Sequence, residues 1–202
     1  MAKKASNLKR YWKKTWHFIW EDNSIWSWLV NIVLAFVLIK FVVYPVLGLL
    51  LGTGFPIVAV VSSSMEHQWN YDGWWSVHST YYENYGITKE MFQGYIFRNG
   101  FNKGDIIFLL GTDFEKIELG DVIVFDGGMS DPIIHRVIRI YNEGDERFMQ
   151  TKGDNNAGTI PQLEQKIPKD KYIGRAIFRI PYLGYVKIWA VDLVNFLVNI
   201  IR

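Results

Sequence analysis

Val60-Val61-Ser62-Ser63-Ser64-Met65 sets three adjacent hydroxyls just beyond the longest apolar run of the chain. If this stretch is extended, Ser62 and Ser64 project to one face and Ser63 to the other, because side chains alternate along a strand. One hydroxyl of such a pair can attack a carbonyl while the other donates a hydrogen bond to the oxyanion that forms. A serine hydroxyl is a poor nucleophile at neutral pH and needs a base. Four histidines are available, His17, His67, His78 and His135. The best candidate is His135, within Asp131-Pro132-Ile133-Ile134-His135-Arg136-Val137. Taken singly, a serine triplet suits an ordinary loop and a strand histidine is commonly structural, so the pair gains meaning only from the elements that bring it together.

Those elements read as an anchor followed by short strands. The chain has 202 residues, room for one main domain and an anchor. An apolar fraction of 50% with nine tryptophans points to a bilayer, and zero cysteines exclude disulfides and thiolate metal sites. A net charge of +2 without a basic stripe gives no footprint for nucleic acid. Residues 1–24 open with Lys3, Lys4, Lys9, Arg10, Lys13 and Lys14 and no acid before residue 21. Residues 25–47 are long and apolar enough for one transmembrane helix, with Trp26, Trp28 and Tyr44 at its interfaces, and the basic lead puts the N-terminus in the cytoplasm. Lys40, near the outer end, is expected to snorkel. A cleaved signal peptide would have a shorter lead and a shorter apolar core.

Residues 48–184 then form the extracytoplasmic domain, with 48–56 a glycine-rich connector. An aromatic-rich insert at 66–102 has little clean period and suits either a loop with a short helix near 88–93 packed on the domain or an aromatic collar resting on lipid headgroups. Strand-like runs follow at 105–110, 121–125, 132–141, 147–152 and 172–180, with Asn142 to Glu146 as a hairpin turn. Many short strands without long helical patterns between them indicate a mainly β, antiparallel domain. In residues 185–202, Asp192, Asn195, Asn199 and Arg202 recur at helical spacing, as expected of a C-terminal amphipathic, membrane-associated helix.

Read together, Ser62-Ser63-Ser64-Met65-Glu66, Gly120 to Phe125, Ile134-His135-Arg136-Val137, Lys152-Gly153-Asp154-Asn155-Asn156 and Gly174 to Gly184 occur in one order from Pro56 to Tyr185. In this the chain resembles the type I signal peptidases of the archaeal and endoplasmic-reticulum kind. The resemblance implies a membrane-anchored serine endopeptidase on a signal-peptidase-like β fold. It would remove signal peptides from translocated preproteins at the plasma membrane, without cofactor or metal, with the bilayer and the translocation machinery as surroundings. It implies Ser64 as nucleophile, with Ser62 and the backbone N–H of Ser64 at the oxyanion. It also implies His135 where bacterial relatives carry a lysine base, and Asp154 as an acid close to the site. Members usually have a second aspartate six residues past Asp154, where this chain has Ile160. The third group is therefore Asp154, Glu164 from the following loop, or none. His67, three residues past Ser64, and Lys152 are rival bases. A non-catalytic membrane-anchored scaffold, or a related peptidase with other substrates, is the alternative.

Overall fold

The computed structural model describes residues 2–129, 131–186, 188–189, 191–192, 196 and 198. Two compact units divide at Leu47 and Gly48. In the first, the basic lead is itself a helix, Ala2–Trp20, and a second helix starts at Ile25 and runs past the division to Leu51. Ser24 caps the second helix through the Ser27 N–H, and Asn31 Nδ2 donates to the Ile19 carbonyl at 2.8 Å, closing the elbow. The second helix is long and apolar enough to cross a membrane, and it continues past residue 47, where the sequence suggested a connector. Pro45 does not end it. Proline lacks an N–H and its ring crowds the carbonyl four residues back. The backbone widens into a π turn over Ile39–Val43, in which the Tyr44 N–H reaches the Ile39 carbonyl five residues away. Lys40 Nζ lies 5.7 and 5.5 Å from the ring centroids of Phe36 and Phe41.

The second unit is a six-stranded, wholly antiparallel sheet. Its strands are β1 (Ile57–Ala59), β2 (Ile106–Leu110), β3 (Val122–Phe125), β4 (Ile133–Glu143), β5 (Glu146–Lys152) and β6 (Tyr172–Ile180), in the spatial order β1-β2-β6-β3-β4-β5. The mainly β expectation holds. Gly144 opens the two-residue turn between β4 and β5 at a φ of 63°, a conformation that favours glycine there. β3 is buried along its whole length because both faces of the sheet are covered. Val122 and Val124 join a core with Val60, Met65, Ile107 and Leu109, while Ile123 and Phe125 join another with Ile133, Val137, Met149 and Ile167.

Two expectations need correcting. The serine stretch is not a strand: β1 stops at Ala59, and residues 62–65 form a turn closed by the Glu66 N–H on the Ser63 carbonyl at 3.1 Å. Met65 enforces that turn, since its side chain is fully buried in the first core and could not get there from a straight continuation of β1. The aromatic insert packs on the domain and has the short helix expected near 88–93, but part of the stretch expected as loop is a second helix, and its aromatics form a core rather than a collar. It holds a thirteen-residue helix, Tyr71–Glu83, and a short one, Lys89–Gln93. Trp74, Trp75, Tyr82, Ile87 and Phe92 from this insert make a third core closed by Ile138 of β4. Aromatics buried against one another in this core are not available to headgroups. In the tail, positions 185, 186, 188, 189, 191, 192, 196 and 198 are helical. Asn195, Asn199 and Arg202, on which the amphipathic reading leaned, lie outside the described residues.

Candidate active site

β5 ends at Lys152, paired with Arg136, so the next residue on β4, His135, has a strand neighbour only on the β3 side, Ile123. The chain turns sharply at Gly153 beside it. A Cβ on Gly153 would stand 2.8 Å from His135 Nε2 and 2.6 Å from Asn156 Nδ2, so only glycine lets the loop pass this close to the imidazole. Through the gap left by the strand end comes the serine turn. His135 Nε2 is 2.9 Å from Ser64 Oγ, and Ser64 Oγ is 3.1 Å from Ser62 Oγ. The two hydroxyls expected on one strand face thus meet across a turn instead.

The other imidazole nitrogen, Nδ1, is hydrogen-bonded to Glu164 Oε1. Glu164 is fully buried at the end of the helix Pro161–Glu164, and its carboxylate is hydrogen-bonded at both oxygens. The Thr151 hydroxyl reaches Oε1 at 3.2 Å and the Ile160 N–H reaches Oε2 at 2.7 Å. A carboxylate on Nδ1 keeps the imidazole proton there and leaves the Nε2 lone pair facing Ser64. The N–H of Ser64 donates to no protein acceptor among the described residues and is free for an incoming oxygen.

Asp154, which the resemblance implied beside His135, points elsewhere. Its carboxylate accepts from Arg136 Nε and Nη2, from His67 Nε2 at 2.9 Å and from the Tyr82 hydroxyl at 2.8 Å. Arg136 is fully buried on the neighbouring β4 position, on the opposite face from His135, and a buried guanidinium requires an anion. Burial alone would raise the Asp154 carboxyl. The Arg136 charge and the hydrogen bonds from His67 and Arg136 outweigh it and hold the group well below the usual carboxylate range. His67, the rival base, is committed to this cluster and stacks on Trp74 with ring centroids 3.7 Å apart. Lys152 donates to the Gly153 and Asp154 carbonyls, not to Ser64. His17 belongs to the other unit, and His78 is half-buried against Trp74.

Sequence reasoning did not foresee how the loop after β5 grips the serine turn. The Asn155 N–H donates to the Ser64 carbonyl at 2.8 Å and Asn155 Nδ2 to the Ser63 carbonyl at 3.2 Å. The available signal is the run Lys152-Gly153-Asp154-Asn155-Asn156 itself, whose asparagine can hydrogen-bond a neighbouring backbone.

A serine hydroxyl on an imidazole, with a buried carboxylate behind it and a free N–H in front, is an arrangement suited to acyl transfer. No family model matches the chain. Signal peptidase complex catalytic subunit SEC11 of Scheffersomyces stipitis is 31% identical to it over 164 residues, covering 77% of this chain and 78% of that protein. SEC11 of Colletotrichum graminicola is 36% identical over 94 residues and SEC11 of Saccharomyces cerevisiae 41% over 96, covering 55% and 57% of those proteins. This chain belongs to the family of signal peptidase catalytic subunits.

Proposed function

We propose that this protein removes signal peptides as a membrane-anchored serine peptidase, with Ser64 as nucleophile, His135 as base and Glu164 as the carboxylate that orients it. The observation carrying this reading is the 2.9 Å contact between Ser64 Oγ and His135 Nε2, with Glu164 on the far nitrogen. Ser64 Oγ attacks the scissile carbonyl carbon while its proton passes to Nε2. The oxyanion accepts from the Ser64 N–H and from the Ser62 hydroxyl, which turns to it from its resting contact with Ser64. The tetrahedral species collapses to a Ser64 ester, and the departing amine takes the proton from Nε2. Water, deprotonated by the same nitrogen, hydrolyses the ester and restores the hydroxyl. Asp154 is a positioning residue in this scheme, holding the loop that contains Gly153 and Asn155.

The helix Ile25–Leu51 serves as a single-pass anchor in the plasma membrane, with the basic lead inside and the β unit outside, where a signal peptide leaves the bilayer. The relatives are named as subunits of a complex, and partner subunits together with the translocation machinery are the surroundings this reading supplies. The test is cleavage of a model preprotein by the full chain in lipid, beside folded Ser64→Ala and His135→Ala variants. Cleavage after a small residue, abolished by each change, is the expected result. Activity surviving His135→Ala moves the base to His67 or a lysine. An inert wild-type chain in lipid favours a scaffold or a missing subunit.

A further inference from the structure

We propose that Lys152 is a positioning residue of the reaction, its buried ammonium drawing two loop carbonyls inward and so aiming two peptide N–H groups at the turn that carries Ser64. The inference rests on the serine-peptidase reading above.

Lys152 is fully buried at the end of β5, and among the described residues no carboxylate lies within ion-pairing distance of it. Its Nζ donates to the Gly153 carbonyl at 3.0 Å and the Asp154 carbonyl at 3.2 Å, and stands 4.7 and 5.4 Å from the ring centroids of Tyr82 and Tyr81. In a planar trans peptide the C=O and the following N–H point in opposite directions. Turning the Gly153 carbonyl toward Lys152 therefore turns the Asp154 N–H away, and it is found on Met65 Sδ at 3.4 Å. Turning the Asp154 carbonyl in sends the Asn155 N–H to the Ser64 carbonyl at 2.8 Å. One cation thus fixes both ends of the Ser64-Met65 pair, and with them the Gly153 backbone that walls His135. A methionine would fill the same space without the cost of desolvating a charge, so the charge itself calls for a role.

The groups around Nζ are Arg136 on β4, His78, Tyr81 and Tyr82 on the helix Tyr71–Glu83, Asp154 in the loop and Glu164 on the helix Pro161–Glu164. Burial, aided by Arg136 and opposed by Asp154 and Glu164, pushes the ammonium down to about 8. Above that pH the amine holds the carbonyls through ordinary hydrogen bonds, about half as strong as charge-assisted ones. The sign of the stability effect is opposite. Between pH 8 and the ordinary lysine value the unfolded chain binds more protons than the folded one, so this group makes the fold more stable as pH rises. A loss of turnover over that interval cannot then come from unfolding through Lys152.

The experiment measures kcat and KM of the full chain from pH 6.5 to 10 (roughly the range that brackets the lysine transition), beside Lys152→Gln and Lys152→Met. In wild type, kcat is expected to fall by roughly tenfold across an alkaline limb, with KM nearly constant. Lys152→Gln, whose amide donates without titrating, should lose roughly tenfold in kcat at neutral pH and show no such limb. Lys152→Met should lose more. The same limb at the same pH in either folded variant overturns the proposal. Independently of any variant or substrate, hydrogen exchange of the wild-type Asp154 and Asn155 amides, corrected for intrinsic rate, should speed up across that interval. Unchanged protection also overturns it. If Ser64→Ala still cleaves, the peptidase reading fails while the exchange result still decides the role of Lys152 in the loop.

Discussion

Two buried acids meet adjacent residues of β4 on its opposite faces, Glu164 at His135 and Asp154 at Arg136, and their partners assign them different work. Glu164 is hydrogen-bonded to His135, Thr151 and the Ile160 amide, whereas Asp154 neutralises Arg136. Glu164→Gln should therefore cut kcat by roughly 10²–10⁴-fold, through loss of the productive imidazole tautomer, with little change in melting temperature. Asp154→Asn leaves a buried guanidinium uncompensated and should cost about 3–5 kcal/mol of stability, read by urea titration. The reverse pattern would move the third catalytic role back to Asp154. Gly153→Ala forces its methyl group against His135 Nε2, and a displacement of that kind should lower kcat by about 10²-fold while the fold persists. At this scale the pairing of Ser64 with His135 was legible because the chain has only four histidines and the serine run and His135 each sit in one of five ordered stretches. Which carboxylate served them was not, since distance along the chain does not give direction in space. A hint was present in Pro161-Gln162-Leu163-Glu164: proline starts a helical turn, and an acid at its end can reach back to a free N–H.

Five of the six strands were readable from β-branched runs between glycine and proline signals, because a doubly covered sheet leaves such runs uninterrupted. The helix Tyr71–Glu83 was not. Its buried positions, Trp74, Trp75 and Tyr82, do follow helical spacing, but exposed Val77 and half-buried Tyr71 and Tyr81 blur the apolar stripe. The readable cue was Asn70, whose side chain caps the Gly73 N–H, followed by Asp72 in the first turn. The helix matters to the site through Trp74, which backs the His67 ring that in turn holds Asp154. Trp74→Ala should destabilise the β unit by about 3–5 kcal/mol and lower activity with it, measured by thermal melting alongside cleavage. Wild-type stability with lost activity would mean that the insert acts on substrate rather than on the core.

For the whole molecule, the sequence disclosed a helix long and apolar enough to span a membrane, yet not that helix continues to Leu51, because a π turn rather than a break absorbs Pro45. The orientation proposed for the chain rests on charge. Six Lys or Arg precede the span within the first fourteen residues, and from residue 41 to residue 88 there is none. Each basic residue held on the inner side adds to one bias, and no cluster beyond the span opposes it. Replacing all six by glutamine should therefore let a measurable fraction of chains insert the other way round, seen as an N-terminal tag that becomes accessible from outside the cell. Chains inserted in reverse carry Ser64 and His135 on the side that translocated preproteins never visit. Processing in cells should then fall in proportion to the inverted fraction, while the same protein in detergent cleaves as well as wild type. If processing falls with no inversion, the basic lead has a task other than topology, and the orientation proposed for the β unit loses its support.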